Sequence, residues 1–593
     1  MKDEPQGGSG VASGYDYERF STLAGDLRDG PEDGAYTVEY RRLGHWRPVR
    51  TAILVIFALA CVGGFFIWML LPEHWPDYGA AHEWMQVAAI VIVVNTGLIG
   101  VFAFVNVATL CRASLIARDP IPVRPESGLR LAFLTTIVPA KEPIDMVRRT
   151  LEAALEIEHD GPFDVWLLDE GDEPAIRQMC AEIGVHHFTR RGVERFNQPA
   201  GAFKTRTKHG NYNSWLECHG EDYDCFISVD PDHVPLKNYA QRFLGYMRDP
   251  DVAFVVGPQV YGNYDNSFLT RAAESQQFLF HSLLQRAGNS SSTPMLVGTN
   301  NAIRVSALRS IGGLTESITE DMATSLTFHT ACNPATGARW KSVYTPDVIA
   351  VGEGPESFTD YFAQQHRWSQ GTDDVVVGRY WSLAPRLGLK RLVHYTLLMS
   401  YYPTTALAWV LGVVNAVLFL GLHVGGVTVP IKTWVMLYVD AAALQTSLYY
   451  WNRRHNVSPH ERAGTSGLAG MFISALSTPI YVSSLMCAIL RRRRGFVVTA
   501  KGVSTQPDSL MTFRTHLQWA AVLLLPLTVS IVRGNANPWM YVWAALGVLV
   551  CVLPIFIWRY ESRSSSGPRP RRRRSAEPAP ERAAPLEGGM EAA

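Results

Sequence analysis

The chain has no net charge, because 54 lysines and arginines offset 54 aspartates and glutamates across 593 residues. That balance excludes nucleic-acid binding by bulk charge. It has no CxxC pair. Its eight cysteines stand apart at positions 61, 111, 180, 218, 225, 332, 487 and 551, so neither a zinc site nor a disulfide framework is indicated. At 47% hydrophobic residues it is neither collagen-like nor wholly disordered. Between Arg112 and Arg391 it has no long uncharged apolar run. Outside that stretch, such runs are present.

Residues 51–71 and 86–110 carry no charge. Each is long enough for a helix crossing roughly 30 Å of hydrocarbon, which takes about 20 apolar residues. Further apolar runs lie at 397–422, 434–451, 467–490, 517–532 and 539–558. Arg41, Arg42, Arg47 and Arg50 precede the first run, the loop 72–85 has no lysine or arginine, and Arg112, Arg118, Arg124 and Arg130 follow the second. The positive-inside rule then puts both termini and the middle stretch in the cytoplasm of a multi-pass plasma-membrane protein. Residues 467–490 have basic clusters at both ends. Ser474, Ser477, Thr478, Tyr481 and Ser484 form a polar stripe along them, so they are read as an interfacial helix, leaving six spans. The expected divisions are a disordered acidic tail at 1–45, two spans within 46–112, a soluble domain at 128–380, a membrane block at 390–560 and a disordered basic tail at 561–593.

The soluble stretch alternates strand and helix patterns. Residues 131–139, 163–168 and 224–229 read as buried strands, and 144–157 and 175–183 as helices. This predicts an α/β domain, mostly parallel sheet with flanking helices, inserted between blocks of transmembrane helices. Its ligand crevice should lie at the carboxyl ends of the strands.

Four short motifs fall at such places. Asp230-Pro231-Asp232 offers two carboxylates for a hard divalent cation, although a solvated turn has the same pattern. Lys208-His209-Gly210-Asn211 could meet a diphosphate or simply face water. Thr319-Glu320-Asp321 offers a general base, or a threonine cap for the helix that follows. Gln364 and Arg367-Trp368 fall on neighbouring helical faces, where an indole can stack on a sugar and a guanidinium can pair with phosphate.

In this order, DxD, TED and QxxRW followed by membrane helices resemble the processive family 2 glycosyltransferases, above all cellulose synthase catalytic subunits and cellulose synthase-like proteins. Phe496-Val497-Val498-Thr499-Ala500-Lys501-Gly502 resembles that family's FxVTxKG gating loop, within 491–512. The resemblance implies a GT-A fold and a UDP-sugar donor bound through Glu142, Asp169, Lys208 and Asp230. It implies Mg2+ (or Mn2+) on Asp230 and Asp232. Asp321 is implied as the base, with Glu320 and Asp232 beside the chemistry. Gln364, Arg367 and Trp368 would close the acceptor and diphosphate site, and Phe496, Val498, Thr499 and Lys501 would cover the donor. The acceptor would be a growing polysaccharide, passed through the bilayer, and the tail after Tyr560 is too short for the family's cyclic di-GMP barrel.

Some positions depart from the family pattern. Leu168-Asp169-Glu170-Gly171 stands for LDDG, Val138-Pro139-Ala140-Lys141-Glu142 for VPTYNE, and Met295-Leu296-Val297-Gly298-Thr299-Asn300 for the FFCG acceptor loop, while the GW after TED is displaced into 333–340. The expected activity is inverting polymerisation of UDP-glucose to a β-1,4-glucan. The alternatives are another β-glycan (β-1,3-glucan, mannan or an N-acetylglucosamine polymer), a non-processive glycolipid transferase, or a receptor or transporter that only binds nucleotide.

Overall fold

The computed structural model describes residues 15–31, 36–43, 48–76, 82–453, 458–461, 465–492, 507–534 and 538–565. The middle stretch folds around a seven-stranded sheet. In chain order its strands are β1 (Leu131–Ile137), β2 (Phe163–Asp169), β3 (His186–Phe188), β4 (Cys225–Ser228), β5 (Val252–Val256), β6 (Asn301–Arg304) and β7 (Lys341–Tyr344). Their spatial order is β7-β5-β6-β4-β1-β2-β3. Only β6 runs antiparallel to its neighbours β4 and β5. The register of β1 on β2 sets Ile137 level with Asp169, so both strands end at the same edge.

Side chains alternate across a strand, and here both faces are covered. Phe133, Val165 and Ile227 face one apolar layer with Val147 and Leu151 of the helix Ile144–Leu155. Leu134, Leu168 and Phe226 face the other layer, with Tyr212 and Trp215 of the helix Lys208–His219. Two-sided burial explains why β1 reads as a continuous apolar run. The strand and helix patterns expected at 131–139, 144–157, 163–168, 175–183 and 224–229 all appear, with bounds shifted by a residue or two.

Among the described residues, five helices are long and apolar enough to cross a membrane: Pro48–Met69, Glu83–Ile116, Leu389–Gly421, Leu510–Val532 and Met540–Arg563. Six spans were expected. The remaining one, at 434–451, is the 23-residue helix Ile431–Arg453. It has the length and packs Ala441 and Leu448 against Val55 and Ala58, but it is less apolar than the five.

Residues 467–490 form two helices, Leu468–Leu476 and Thr478–Ile489, bent by 50° at their junction. Each is too short to cross alone. Their polar stripe meets protein: Ser477 Oγ lies 3.0 Å from Tyr361 Oη, and Tyr481 Oη donates to Gln365 Oε1 at 3.1 Å. The stripe that suggested a headgroup-facing helix meets the helix Phe358–Val375 and, at Ser474, Tyr401 of the helix Leu389–Ala416.

The tail expected to be disordered at 1–45 packs over its described residues. Tyr40–Arg42 pairs antiparallel with Arg118–Pro120. Tyr17 and Ala24 are buried, and Ala24 N–H donates to Asp347 Oδ1 at 2.7 Å. At the other end, the helix Pro538–Ser565 runs past residue 561, and Glu561 Oε1 accepts from Phe268 N–H at 2.7 Å.

Candidate active site

The carboxyl ends of β1, β2 and β4 open into a cleft of about 970 Å3. Glu142, Lys208, Asp230, Glu320, Asp321, Gln364, Arg367 and Trp368 all line it. These residues come from five segments spread over more than two hundred positions, and the sheet edge brings them together.

Lys208 opens the helix Lys208–His219, whose N-terminus is capped by Thr207 Oγ1 accepting from Gly210 N–H at 3.2 Å. Its ammonium donates to Asp230 Oδ1 at 2.6 Å and to the Gly298 carbonyl. Burial works to lower the Lys208 pKa, but the Asp230, Tyr212 and Glu320 charges outweigh it and hold it above the usual lysine range. Lys208 is therefore a fixed cation at a helix N-terminus, a place suited to phosphate.

Asp230 follows β4, and its N–H donates to Thr299 Oγ1 at 2.9 Å. Asp232 is buried behind it, with Oδ2 accepting from Glu353 N–H at 3.2 Å and His233 Nδ1 at 3.3 Å from Oδ1. Gly352 lies against the His233 ring, where a Cβ would come within 2.3 Å. Asp230, Asp232 and His233 each offer a ligand atom, all within 4.8 Å of one another. Two carboxylates and an imidazole fit a divalent cation.

Thr319 occupies the N-cap position of the helix Glu320–Thr330, but its side chain makes no capping bond. The helix N-terminus is served instead by Asp321, whose Oδ1 accepts from Met322 N–H at 2.7 Å. Burial pushes the Asp321 carboxyl up to about 7, and the Glu320 charge adds to the rise against Met322 N–H, Lys208 and Arg367. Burial raises Glu320 too, opposed by Lys208. A carboxyl ionising near neutrality suits proton abstraction at physiological pH.

Gln364, Arg367 and Trp368 share the helix Phe358–Val375. Gly371, one turn beyond them, abuts Thr319: a Cβ there would fall 2.2 Å from Thr319 Cγ2. The backbone of the helix carrying QxxRW thus packs directly against the Thr319 side chain at the start of the helix carrying Asp321.

Asp169 is fully buried at the end of β2. Its oxygens accept from Gly171 N–H at 2.7 Å and Glu173 N–H at 3.2 Å, with His187 Nε2 at 3.1 Å. The neighbouring Glu170 and Gly171 line the cleft instead. Phe496, Val498, Thr499 and Lys501 lie outside the described residues.

Three contributors carried no motif signal. Arg190 is buried and holds Glu170 at 2.7 and 3.0 Å, and also donates to the Phe196, Lys204 and Thr207 carbonyls. It thereby ties down the loop that leads into Lys208. Gly298 has φ +79°, and a Cβ there would lie 3.4 Å from Asp321 Oδ2 and 4.0 Å from Lys208 Nζ. Gly371 is the third. For Gly298 the only clue was its place inside the acceptor-loop segment, and Gly371 lies just past QxxRW.

The family model for glycosyl transferase family 2 matches residues 135–312, and that for glycosyl transferase family group 2 matches residues 225–445. The chain is 27% identical over 326 residues to a cellulose synthase catalytic subunit [UDP-forming] of Xanthomonas axonopodis pv. citri (strain 306), covering 52% of this chain and 42% of that one. It is 25% identical over 388 residues to the corresponding subunit of Pseudomonas fluorescens (strain SBW25), covering 60% and 48%. The chain thus matches less than half the length of these relatives. Among solved structures, a mannosyltransferase from Pyrobaculum calidifontis in complex with GDP-Man and Mn2+ aligns at 15% identity with a TM-score of 0.44, covering 68% of this chain and all of that one.

Proposed function

The catalytic domain is that of a cellulose synthase-like family 2 glycosyltransferase, and from that premise we propose that the chain is a membrane-embedded, processive, inverting enzyme. On this reading it joins glucose from UDP-glucose into a β-1,4-glucan and passes the growing chain across the plasma membrane. The observation that carries the reading is Asp321. This carboxyl, with its pKa pushed up to about 7, and the Lys208 ammonium that pairs with Asp230 both come within 4.0 Å of the point where a Gly298 Cβ would stand.

Lys208, fixed as a cation, would meet the diphosphate, and Glu142 would stand toward the nucleotide. Asp230 and Asp232, with His233 beside them, would hold Mg2+ or Mn2+. Such an ion, when bound, supplies charge neutralisation at the departing diphosphate. Asp321 would take the proton from the acceptor hydroxyl as that oxygen attacks the anomeric carbon. One in-line displacement turns an α-linked donor into a β-linked product. Trp368 would stack on the terminal sugar of the acceptor and Arg367 would pair with phosphate, which keeps the attacking group close and oriented. The catalytic domain and both termini would face the cytoplasm.

A second reading, synthesis of another β-glycan, is favoured by one observation. Val297 and Gly298, which line the cleft, stand where the family carries its cysteine-containing acceptor loop. The donor distinguishes some of these cases. Purified protein in lipid nanodiscs, given single nucleotide sugars, should release UDP fastest from UDP-glucose. Turnover of GDP-mannose alone, or of UDP-N-acetylglucosamine alone, would replace the glucan assignment.

A further inference from the structure

We propose that Asp508, in the membrane block, is a positioning residue for sugar transfer: it caps the helix that carries Gln364, Arg367 and Trp368 and so sets where those side chains stand. The inference rests on the reading that these three act on acceptor and diphosphate.

The first N–H groups of a helix have no partner within it. In Phe358–Val375, Ser357 Oγ serves Asp360 N–H at 3.1 Å. The two preceding N–H groups are served from another part of the chain. Phe358 N–H donates to Asp508 Oδ2 at 2.9 Å, and Thr359 N–H to Asp508 Oδ1 at 2.7 Å. Thr359 Oγ1 donates to the same Oδ1 at 2.8 Å. Both carboxylate oxygens are engaged, and an anion at this end also suits the helix dipole.

The segment bearing Asp508 is itself fixed. Ser509 and Thr512 form a reciprocal capping box, and Thr512 Oγ1 lies 2.9 Å from Thr359 Oγ1. Phe513 is fully buried against Phe358 and Phe362, and the His516 ring stacks on Phe362 at 4.7 Å. Further along the same helix, buried Gln370 donates to the Arg492 carbonyl at 3.2 Å. Arg492 and Asp508 lie on the two sides of residues 493–506, so a single helix holds the chain on both sides of that stretch. The two apolar layers of the sheet are built without residues 507–516. Losing Asp508 should therefore let the helix shift on the domain rather than unfold it, and a shift of about 1 Å can cost about 100-fold in rate.

The test uses the full chain in lipid nanodiscs, comparing wild type with Asp508→Ala and Asp508→Asn. Sugar transfer is followed at several donor concentrations, and UDP affinity is measured by calorimetry. Asp508→Ala should lower kcat about tenfold or more with a clearly smaller loss of UDP affinity, felt through Arg367 alone, because Lys208 and Asp230 hang on other elements. Asp508→Asn keeps an accepting oxygen and should fall between the two. Wild-type kcat in Asp508→Ala would overturn the assignment, and so would a parallel loss of UDP affinity and kcat, which marks general loosening. Should Asp508→Ala not fold, wild-type kcat in Asp508→Asn overturns it equally. Absence of transfer by the wild-type chain from every nucleotide sugar would strike down the parent reading, and this inference with it, before any variant is compared.

Discussion

Like Glu320 beside it, the cleft carboxyl of Asp321 has a raised pKa and no cation in direct contact among the ion pairs described. Its neighbour Glu320 raises it and Lys208 restrains it. A base works only when ionised, and the ionised fraction of a carboxyl grows with pH. The acid limb of kcat/KM should therefore fall as pH drops below about 7, while Lys208 stays charged throughout. A rate that stays flat down to pH 5.5 would remove Asp321 from the role. Asp321→Asn should lower transfer by about 100-fold or more with UDP binding largely intact, the span typical of a lost general base. At this scale the sequence was informative where a motif contained the residue, as for Lys208, Asp230 and Asp321. It was silent on Arg190, whose role depends on three carbonyls that the fold alone brings within reach. Asp169 was legible as a residue of the cleft edge, but its burial was not, because that depends on which way the β2 end turns.

The decisive element is the helix Phe358–Val375, which touches the cleft, the Asp321 helix and the bent pair at 468–489. Gly371 is where it comes closest to its neighbour. Alanine favours a helix over glycine by about 1 kcal/mol, so Gly371→Ala should be harmless on propensity alone. With a Cβ 2.2 Å from Thr319 Cγ2, something must move, and activity should drop about tenfold or more through displacement of Asp321. Wild-type rates in Gly371→Ala, measured by UDP release, would contradict that contact. The elements legible beforehand were long and strongly patterned, such as β1 and the helix Ile144–Leu155. Four strands were not: β3, β6 and β7 are three or four residues long with too little periodicity to show, and β5, the five-residue apolar run Val252–Val256, cannot be told from a buried helix segment by periodicity. The polar stripe at 474–484 was visible, but what satisfies it was not: Tyr361, Gln276 and Gln365 lie about one hundred to two hundred residues earlier in the chain.

Across the whole molecule, the segment at 15–31 ties catalytic domain and membrane block together. Tyr17 Oη lies 2.7 Å from His460 Nε2, Asn238 Nδ2 donates to Ser21 Oγ, and Arg242 spans from Asp347 to the Gly25 carbonyl. Its acidic, glycine-containing composition concealed this, because a strap buries only a few side chains and borrows the core of its host. Arg242 and Asp347 are both buried, so Arg242→Ala strands a carboxylate and should cost about 3–5 kcal/mol, read as a lower thermal unfolding midpoint in detergent. An unchanged midpoint would mean the pair is not load-sharing in solution. The membrane block was legible from hydropathy alone, except that the helix Ile431–Arg453 is less apolar than its neighbours. The central claim is that these parts form one β-glucan polymerase. It is tested most directly by supplying nanodisc-embedded protein with radiolabelled UDP-glucose and digesting the product with linkage-specific glucanases. The account predicts an insoluble labelled polymer, absent with Asp321→Asn, that a β-1,4-glucanase degrades. A product that resists β-1,4-glucanase, or label found only in a single-sugar lipid, would contradict it.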